Sequence, residues 1–289
     1  RAIKKEIKMA REIAGEDKIL GVNIMVAMKE YATYVKACVK EKIDLIISGA
    51  GIPKDLPEYV KGTITKIAPI VSSLRCCKLI VKHWMTKYDY VPDMIVIEGP
   101  EAGGHLGFKR EELDEENKPK LENITSEIVE YIKEVEKETG KEIPVISAGG
   151  IWDSKDIKKY LSLGASGVQM ATRFVATNEC DASEEFKKAY INAKEEDIKI
   201  IKSPVGMPGR AIYNEFIQKT ENEKCHIDKC YNCIKTCNVA TTPYCITKAL
   251  INAVKGNLKE GLVFCGSNVK KVKEIVSVHD LMNELVCEL

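Results

Sequence analysis

The stretch Val145–Ile151, VISAGGI, decides the fold, because it joins a short β-branched run to the paired glycines Gly149 and Gly150. Asp153 and Ser154 follow, and side chains of this type commonly start helices. The pattern is typical of a buried parallel strand that turns directly into a helix. Glycines let the backbone approach a ligand closely, and free N–H groups at a helix start attract anions. The turn is therefore either a phosphate site or an ordinary tight turn.

A second strand end follows in Gly164–Phe174, GASGVQMATRF, where Ala171 and Thr172 place a small residue and a hydroxyl after the strand. In (β/α)₈ barrels, a phosphate is often held between the loops that follow strands seven and eight. The strands that begin at residues 145 and 167 fit that arrangement. We therefore predict that they are strands seven and eight of such a barrel.

The same alternation of strand and helix extends toward the start of the chain. Predicted strands are Gly21–Val26, Asp44–Ser48, Ile67–Ser72, Met94–Glu98, Val145–Ala148 and Gly167–Ala171. Predicted helices are Tyr31–Glu41, Leu74–Lys87, Ile124–Thr139, Ser154–Leu163 and Ser183–Ala193. This order predicts an α/β fold with a parallel sheet.

Only four predicted strands precede residue 145, whereas strand seven of a barrel follows six. We therefore expect the first two strands of the barrel to lie before Arg1. The start of the chain agrees, because Ile3, Ile7, Ala10 and Ile13 have helical spacing from the outset.

Composition excludes several classes of protein. The 289 residues are 45% hydrophobic, which is enough for a substantial core, and the net charge of +1 provides no overall attraction to nucleic acid or to an anionic membrane. The sequence contains no run of eighteen apolar residues that could span a bilayer. Eleven cysteines, an odd number, and a charged first segment favour reduced thiols and a cytoplasmic location.

Two departures from the βα alternation suggest how the chain is divided. Residues 108–122 are almost wholly charged and are predicted to form a solvated excursion, with a lid as the alternative. Ser203–Arg210 is rich in proline and glycine and predicts a non-helical connection. We predict a barrel region over residues 1–200. Residues 201–289 are expected to form a cysteine-rich helical appendage on the barrel, with a final helix over Val278–Leu285.

The segment Ile97–Gly107, IEGPEAGGHLG, places His105 after the end of another apolar strand. Catalytic groups of barrels lie at such strand ends, and an imidazole readily accepts or donates a proton near neutral pH. The alternative is a histidine that only hydrogen-bonds to its turn. The shared rim with the phosphate loops favours catalysis. The other histidines, His83, His226 and His279, lack such a setting and are predicted to be structural or exposed.

Asn23 is a polar residue inside the apolar strand GVNIM. If it is buried it needs hydrogen-bond partners, which either a heterocyclic ligand or the backbone can provide.

The cysteines Cys230, Cys233, Cys237 and Cys245 have the density of a metal site. Thiolates at this spacing bind zinc or an iron–sulfur cluster. The first three also share one face of a helix, where reduced cysteines pack as small hydrophobic residues. Both interpretations stay open.

Seven segments together resemble the nitronate monooxygenase family, formerly called 2-nitropropane dioxygenases, and its clostridial-type members in particular. EAGGH, SAGGI and QMATRF, in that order, are the most specific parts. The segments are GVNIM (21–25), DLIISGAGIP (44–53), IAPIVSS (67–73), IEGPEAGGHLGF (97–108), PVISAGGIWD (144–153), GVQMATRF (167–174) and SPVGMPGRAIYNEF (203–216). The resemblance implies a (β/α)₈ barrel that binds FMN without a covalent bond.

Carried over position by position, the resemblance implies that His105 is the catalytic histidine. It also implies that Gly149, Gly150, Ala171 and Thr172 hold the FMN phosphate, and that the flavin ring and ribityl chain are surrounded by Asn23, Ser72, Glu98 and Gly103. Ser72 stands where several relatives have a lysine. The glycine-rich first strand and loop of the family are absent from this sequence.

The resemblance implies oxidation of an alkyl nitronate, or of a nitroalkane, by O₂ to a carbonyl compound and nitrite. One alternative is an NAD(P)H-dependent FMN reductase that acts on an enoyl thioester or a quinone. A second is a barrel that binds a phosphate ligand without catalysis. The sequence gives no oligomeric state.

Overall fold

The computed structural model describes residues 2–289. Its strands are β1 Gly21–Met25, β2 Leu45–Gly49, β3 Lys66–Val71, β4 Ile95–Glu98, β5 Gly104–His105, β6 Val145–Ala148, β7 Gly167–Gln169, β8 Ile198–Lys202 and β9 Pro208–Ile212. Its helices are α1 Ala2–Ala14, α2 Tyr31–Lys40, α3 Leu56–Val60, α4 Leu74–Tyr88, α5 Leu121–Thr139, α6 Ser154–Ser162, α7 Thr172–Val175, α8 Glu184–Asn192, α9 Glu215–Asn222, α10 Ile246–Val254 and α11 Val278–Val286.

Six parallel strands form one curled sheet in the order β1-β2-β3-β4-β6-β7. In β4, Ile95 and Ile97 pack outward into the main core beneath the helices, whereas Val96 packs on the inner face of the sheet with Ala68 and Ala148. This alternation follows from the two-residue period of a strand, and both faces carry apolar side chains. The predicted α/β barrel class is confirmed. Among residues 2–289, β1 and β7 are the edges of the curled sheet.

The six predicted strands are all present in the structure, and their ends differ by no more than two residues. The five predicted helices, the helix at the start and the final helix are also confirmed. The largest difference is at the start of α5, which begins three residues earlier than predicted. These elements have strong local periodicity, which is why the sequence locates them well.

A small antiparallel sheet, in the order β5-β9-β8, was not predicted. Ser203–Arg210 is indeed non-helical, but its last three residues belong to β9, and Gly206 at φ +89° makes the turn from β8. In this sheet His105 pairs with Gly209 and Gly104 with Arg210. The division predicted at residue 200 stays a prediction, and β8 extends across it.

The prediction that Cys230, Cys233 and Cys237 share a helix face is wrong, because the structure has no helix between α9 and α10. The backbone of this segment pairs with another part of the chain instead of with itself. Lys29 N–H donates to the Cys233 carbonyl at 2.9 Å. The adjoining bridge between Met28 and Ile234 is antiparallel.

The charged segment 108–122 is mostly exposed, as predicted, and contains a short 3₁₀ helix at Arg110–Leu113. Several contacts hold it to the rest of the molecule. Leu113 and Leu121 are buried, Lys118 Nζ lies 2.5 Å from Glu101 Oε1, and Glu122 pairs with Lys159. Its function as a lid stays a prediction. Over residues 2–289, no helix is both long and apolar enough to cross a bilayer.

Candidate active site

The carboxyl ends of β4, β6 and β7 surround a cavity of about 120 Å³, the inner cavity. Parallel strands bring their carboxyl ends to one edge of the sheet, so residues far apart in sequence meet there. Six of the residues proposed from the sequence line this cavity: Glu98, Gly103, Gly149, Gly150, Ala171 and Thr172.

The paired glycines after β6 allow two loops to approach each other closely. Gly149 and Gly150 have φ of +99° and +78°, in the left-handed region that favours glycine. A Cβ on Gly150 would lie 2.8 Å from the Cβ of Glu101, and one on Gly149 would lie 2.9 Å from the amide nitrogen of Ala102. Both distances are too short for carbon in these positions, so neither residue can carry a side chain without moving the loop after β4.

The far wall of the inner cavity comes from residues 266–268, which sequence reasoning did not identify. Gly266 N–H donates to Thr172 Oγ1 at 3.0 Å, and Asn268 Nδ2 donates to the Gly150 carbonyl at 2.6 Å. A Cβ on Gly103 would lie only 2.5 Å from the carbonyl carbon of Cys265. The C-terminal region therefore closes the cavity over the predicted phosphate loops. Its only signal in the sequence is the glycine-containing turn after the apolar run LVF (262–264).

A second cavity of about 690 Å³, the mouth cavity, lies beside the first. Its lining includes Ser72, Glu98 and Gly107, together with residues 108–112 of the charged segment. Glu98 lines both cavities, so its carboxyl group marks their junction.

Asn23 lies outside this arrangement. It is exposed on the edge strand β1 and lines neither cavity. It therefore does not need the buried partners considered from the sequence. In the register of the sheet it lies opposite Ile47 of β2. Its contact with a flavin stays a prediction.

Glu98 is held by a small hydrogen-bond network. Ser72 Oγ donates to the Gly107 carbonyl at 2.7 Å, and Gly107 N–H donates to Glu98 Oε2 at 3.3 Å. Burial raises the pKa of Glu98 to about 7, and the single backbone donor offsets only part of that effect. Near neutral pH the carboxyl group therefore exists in both protonation states.

In the sequence His105 stands between Gly103, which lines the inner cavity, and Gly107, which lines the mouth cavity, but His105 itself lines neither cavity. Its Nε2 is 2.7 Å from Ser203 Oγ, and its ring meets the ring of Phe264 edge-on, with centroids 4.9 Å apart. Desolvation by this packing lowers the pKa of His105 to about 4, so the imidazole is neutral at pH 7. Ser203 was not among the predicted site residues, because nothing in the sequence pairs it with a histidine 98 positions away.

The remaining histidines lie elsewhere. His83 packs edge-on against Tyr88, and His226 and His279 are exposed, as the sequence analysis expected.

Among residues 2–289, no three or more His, Cys, Asp or Glu side chains are arranged to hold a metal ion. Burial is the main cause that raises the pKa of the Cys237 thiol, and the neighbouring cysteines raise it further. The zinc or iron–sulfur interpretation stays a prediction.

The sequence profile described as nitronate monooxygenase matches residues 2–288. The chain belongs to the nitronate monooxygenase family. A probable nitronate monooxygenase of Staphylococcus aureus (strain JH9) is 30% identical over 192 residues, which are 66% of this chain and 50% of the relative. One from Staphylococcus saprophyticus is 36% identical over 185 residues, 62% of this chain and 49% of the relative. This member of the family therefore spans about half the length of the curated relatives it matches.

Solved structures agree with the fold. FabK from Thermotoga maritima has a TM-score of 0.76 and 26% identity, and the match covers 99% of this chain and 80% of that one. A nitroalkane oxidase from Streptomyces ansochromogenes has a TM-score of 0.73 and 18% identity, with 100% of this chain and 84% of that one covered. At this identity the second similarity concerns the fold alone. The family resemblance and the fold class predicted from the sequence are both confirmed.

Proposed function

We propose that this chain binds FMN across the junction of the two cavities. Gly149, Gly150, Ala171 and Thr172 would hold the phosphate in the inner cavity. The ribityl chain and ring would extend toward the mouth cavity, and Asn23, Ser72, Glu98 and Gly103 would surround them. When bound, FMN supplies the redox chemistry, and the protein supplies orientation and electrostatics.

The residues present fit such a group. The inner cavity, at about 120 Å³, is of the size of a phosphate and not of a whole flavin, and it is bordered by backbone without side chains at Gly103, Gly149 and Gly150. The mouth cavity, at about 690 Å³, has room for a ring system. Because Glu98 lines both cavities, a long ligand could occupy them together.

We further propose that the chain is the FMN- and substrate-binding part of a nitronate monooxygenase, which oxidises alkyl nitronates with O₂ to carbonyl compounds and nitrite. The family match over residues 2–288 supports the reaction class. The single observation that carries the assignment of the site is the loop from Glu98 to Gly107, which borders both cavities and includes His105.

The protonation state of His105 favours a nitronate over a neutral nitroalkane as the substrate. A group with a pKa of about 4 is a weak base at neutral pH and would deprotonate a carbon acid slowly. A nitronate has already lost that proton. The neutral imidazole can then serve as a hydrogen-bond donor to the anionic oxygens without transferring a proton.

The experiment that tests this function begins with the colour of the purified protein. We expect flavin absorption, with FMN identified after release by denaturation. Under anaerobic conditions, an alkyl nitronate should bleach the flavin, and air should then yield nitrite. Rapid bleaching by NADH but not by nitronate would support the reductase alternative instead. A folded protein that stays colourless after incubation with FMN would support ligand binding without catalysis.

The cysteine usage of the chain also leads us to propose a cytoplasmic location, where thiols stay reduced. Cell fractionation, followed by detection of the protein in each fraction, would test this location. Recovery in an oxidising compartment would contradict the proposal.

A further inference from the structure

Ser203 occupies a constrained position beside His105. It follows the last residue of β8 and is 97% buried, with a relative exposure of 3%. Both backbone polar groups of Ser203 are hydrogen-bonded within the turn between β8 and β9. Ser203 N–H donates to the Met207 carbonyl at 3.2 Å, and Gly206 N–H donates to the Ser203 carbonyl at 2.9 Å. The backbone of Ser203 is therefore fixed, and its hydroxyl has little freedom.

The Ser203 hydroxyl has two close polar neighbours, and only one of them can accept its proton. Val205 N–H donates to Ser203 Oγ at 3.3 Å and so occupies one acceptor position of the oxygen. The other close polar neighbour is His105 Nε2, at 2.7 Å. A neutral imidazole has one nitrogen that accepts and one that donates. If the Ser203 proton is directed to Nε2, then Nδ1 must carry the ring proton.

The register of the small sheet keeps the two residues together. His105 on β5 pairs with Gly209 of the central strand β9, and β9 pairs on its other side with β8, which leads into Ser203. Phe264 packs against the ring edge-on and restricts its rotation. A hydrogen bond that joins residues 98 positions apart is thus built into the sheet.

We propose that Ser203 is a positioning residue: its hydroxyl donates to Nε2 of His105, fixes the neutral tautomer protonated at Nδ1, and leaves the Nδ1–H as the donor for the anionic substrate. This inference rests on the proposed function for the identity of the substrate, but the tautomer itself does not depend on it. Neither the charge of Ser203 nor that of His105 changes in this arrangement, so the effect is one of orientation.

The direct test is ¹⁵N nuclear magnetic resonance of the histidine rings, with the whole chain labelled at histidine and without substrate. The chain has four histidines, and the His105→Asn variant identifies the signals of His105. In the wild type we expect a proton on Nδ1 and none on Nε2 at pH 7. A wild-type His105 protonated at Nε2 would overturn the proposal even if no Ser203 variant folds.

Variants of Ser203 then test the cause. Ser203→Ala should convert His105 to a mixture of tautomers and lower kcat for an alkyl nitronate such as propyl 2-nitronate by about tenfold. Ser203→Thr keeps a hydroxyl and should restore the wild-type tautomer. The matched control is Thr242→Ala, which removes another buried hydroxyl that donates to the Tyr244 carbonyl, and it should leave the His105 signals unchanged.

The outcomes separate this inference from the proposed function. If Ser203→Ala changes the tautomer while no form of the protein oxidises nitronates, the positioning role stands and the proposed function fails. If Ser203→Ala folds, turns over nitronate like the wild type and keeps the same single tautomer, the positioning role fails and the function stands.

Discussion

The carboxylate oxygen Oε2 of Glu98 accepts one hydrogen bond from the backbone N–H of Gly107, at 3.3 Å. That N–H belongs to the loop that carries His105. The contact therefore joins the end of β4 to the edge of the mouth cavity. It is too weak to compensate for the loss of water around the carboxyl group, which is why the pKa of Glu98 rises to about 7.

Replacement of Glu98 by glutamine should stabilise the protein at high pH. Between the ordinary pKa of 4.5 and about 7, the folded state holds a proton that the unfolded state has lost. The stability of the wild type therefore falls as pH rises through this window. We therefore compare the free energy of unfolding of Glu98→Gln with that of the wild type. The difference should shift in favour of the variant by about 1–2 kcal/mol from pH 5 to pH 8, after allowance for solvent screening.

Urea unfolding at the two pH values measures this advantage. The control is Glu111→Gln, an exposed carboxylate that borders the same mouth cavity, and it should reproduce the pH dependence of the wild type. An advantage of Glu98→Gln that is equal at pH 5 and pH 8 would contradict the assignment.

Replacement of Gly150 by alanine should both destabilise the protein and impair FMN binding. The positive φ costs about 1 kcal/mol, and the contact with the Cβ of Glu101 adds roughly 1–3 kcal/mol by overpacking. Gly140→Ala is the matched control, because Gly140 has φ +69° at the end of α5 with no atom within 4 Å of the added Cβ. It should lose only about 1 kcal/mol and bind FMN normally.

Thermal unfolding and flavin titration compare these two variants. Equal losses of stability and of FMN affinity in both would show that the close approach of the loops at Gly150 has no special role.

Replacement of His105 by asparagine should leave the flavin bound and abolish most turnover. The imidazole does not line the inner cavity, where we propose that the phosphate binds, so FMN affinity should change little. We expect kcat/KM for an alkyl nitronate to fall by about 100-fold or more, which is typical for loss of a positioned proton donor or acceptor. Steady-state oxygen consumption and the flavin content of the purified variant check both parts. Unchanged activity would remove His105 from the mechanism.

Replacement of Lys118 by alanine should loosen the charged segment over the mouth cavity. Lys118 is only 19% exposed and bridges Glu101 and Glu115 at 2.5 and 2.8 Å. Its loss should speed amide hydrogen exchange in residues 108–120, with a fall in stability of about 1 kcal/mol or less. Arg110→Ala is the control, because its pair with Asp114 is more than half exposed on both sides. Exchange rates that stay the same in Lys118→Ala would show that the ion pair does not hold the segment.

The elements of the barrel could be predicted because their signals are local. The run Val145–Ala148 forms β6, and Gly149 and Gly150 form its turn, because β-branched residues favour buried strands and glycine tolerates positive φ. The order of strands and helices then brought the loops after β6 and β7 to one edge of the sheet. For the same reason, six of the nine predicted site residues line the inner cavity.

By itself, the sequence determined the α/β barrel class, the family and the loops that border the site. Only the tertiary structure placed Ser203 against His105 and Gly266 against Thr172, and paired Cys233 with Lys29 where a helix was expected. These partners lie on separate elements, and no local propensity encodes which of them will meet. They are decided by burial and hydrogen bonding once the whole chain has packed.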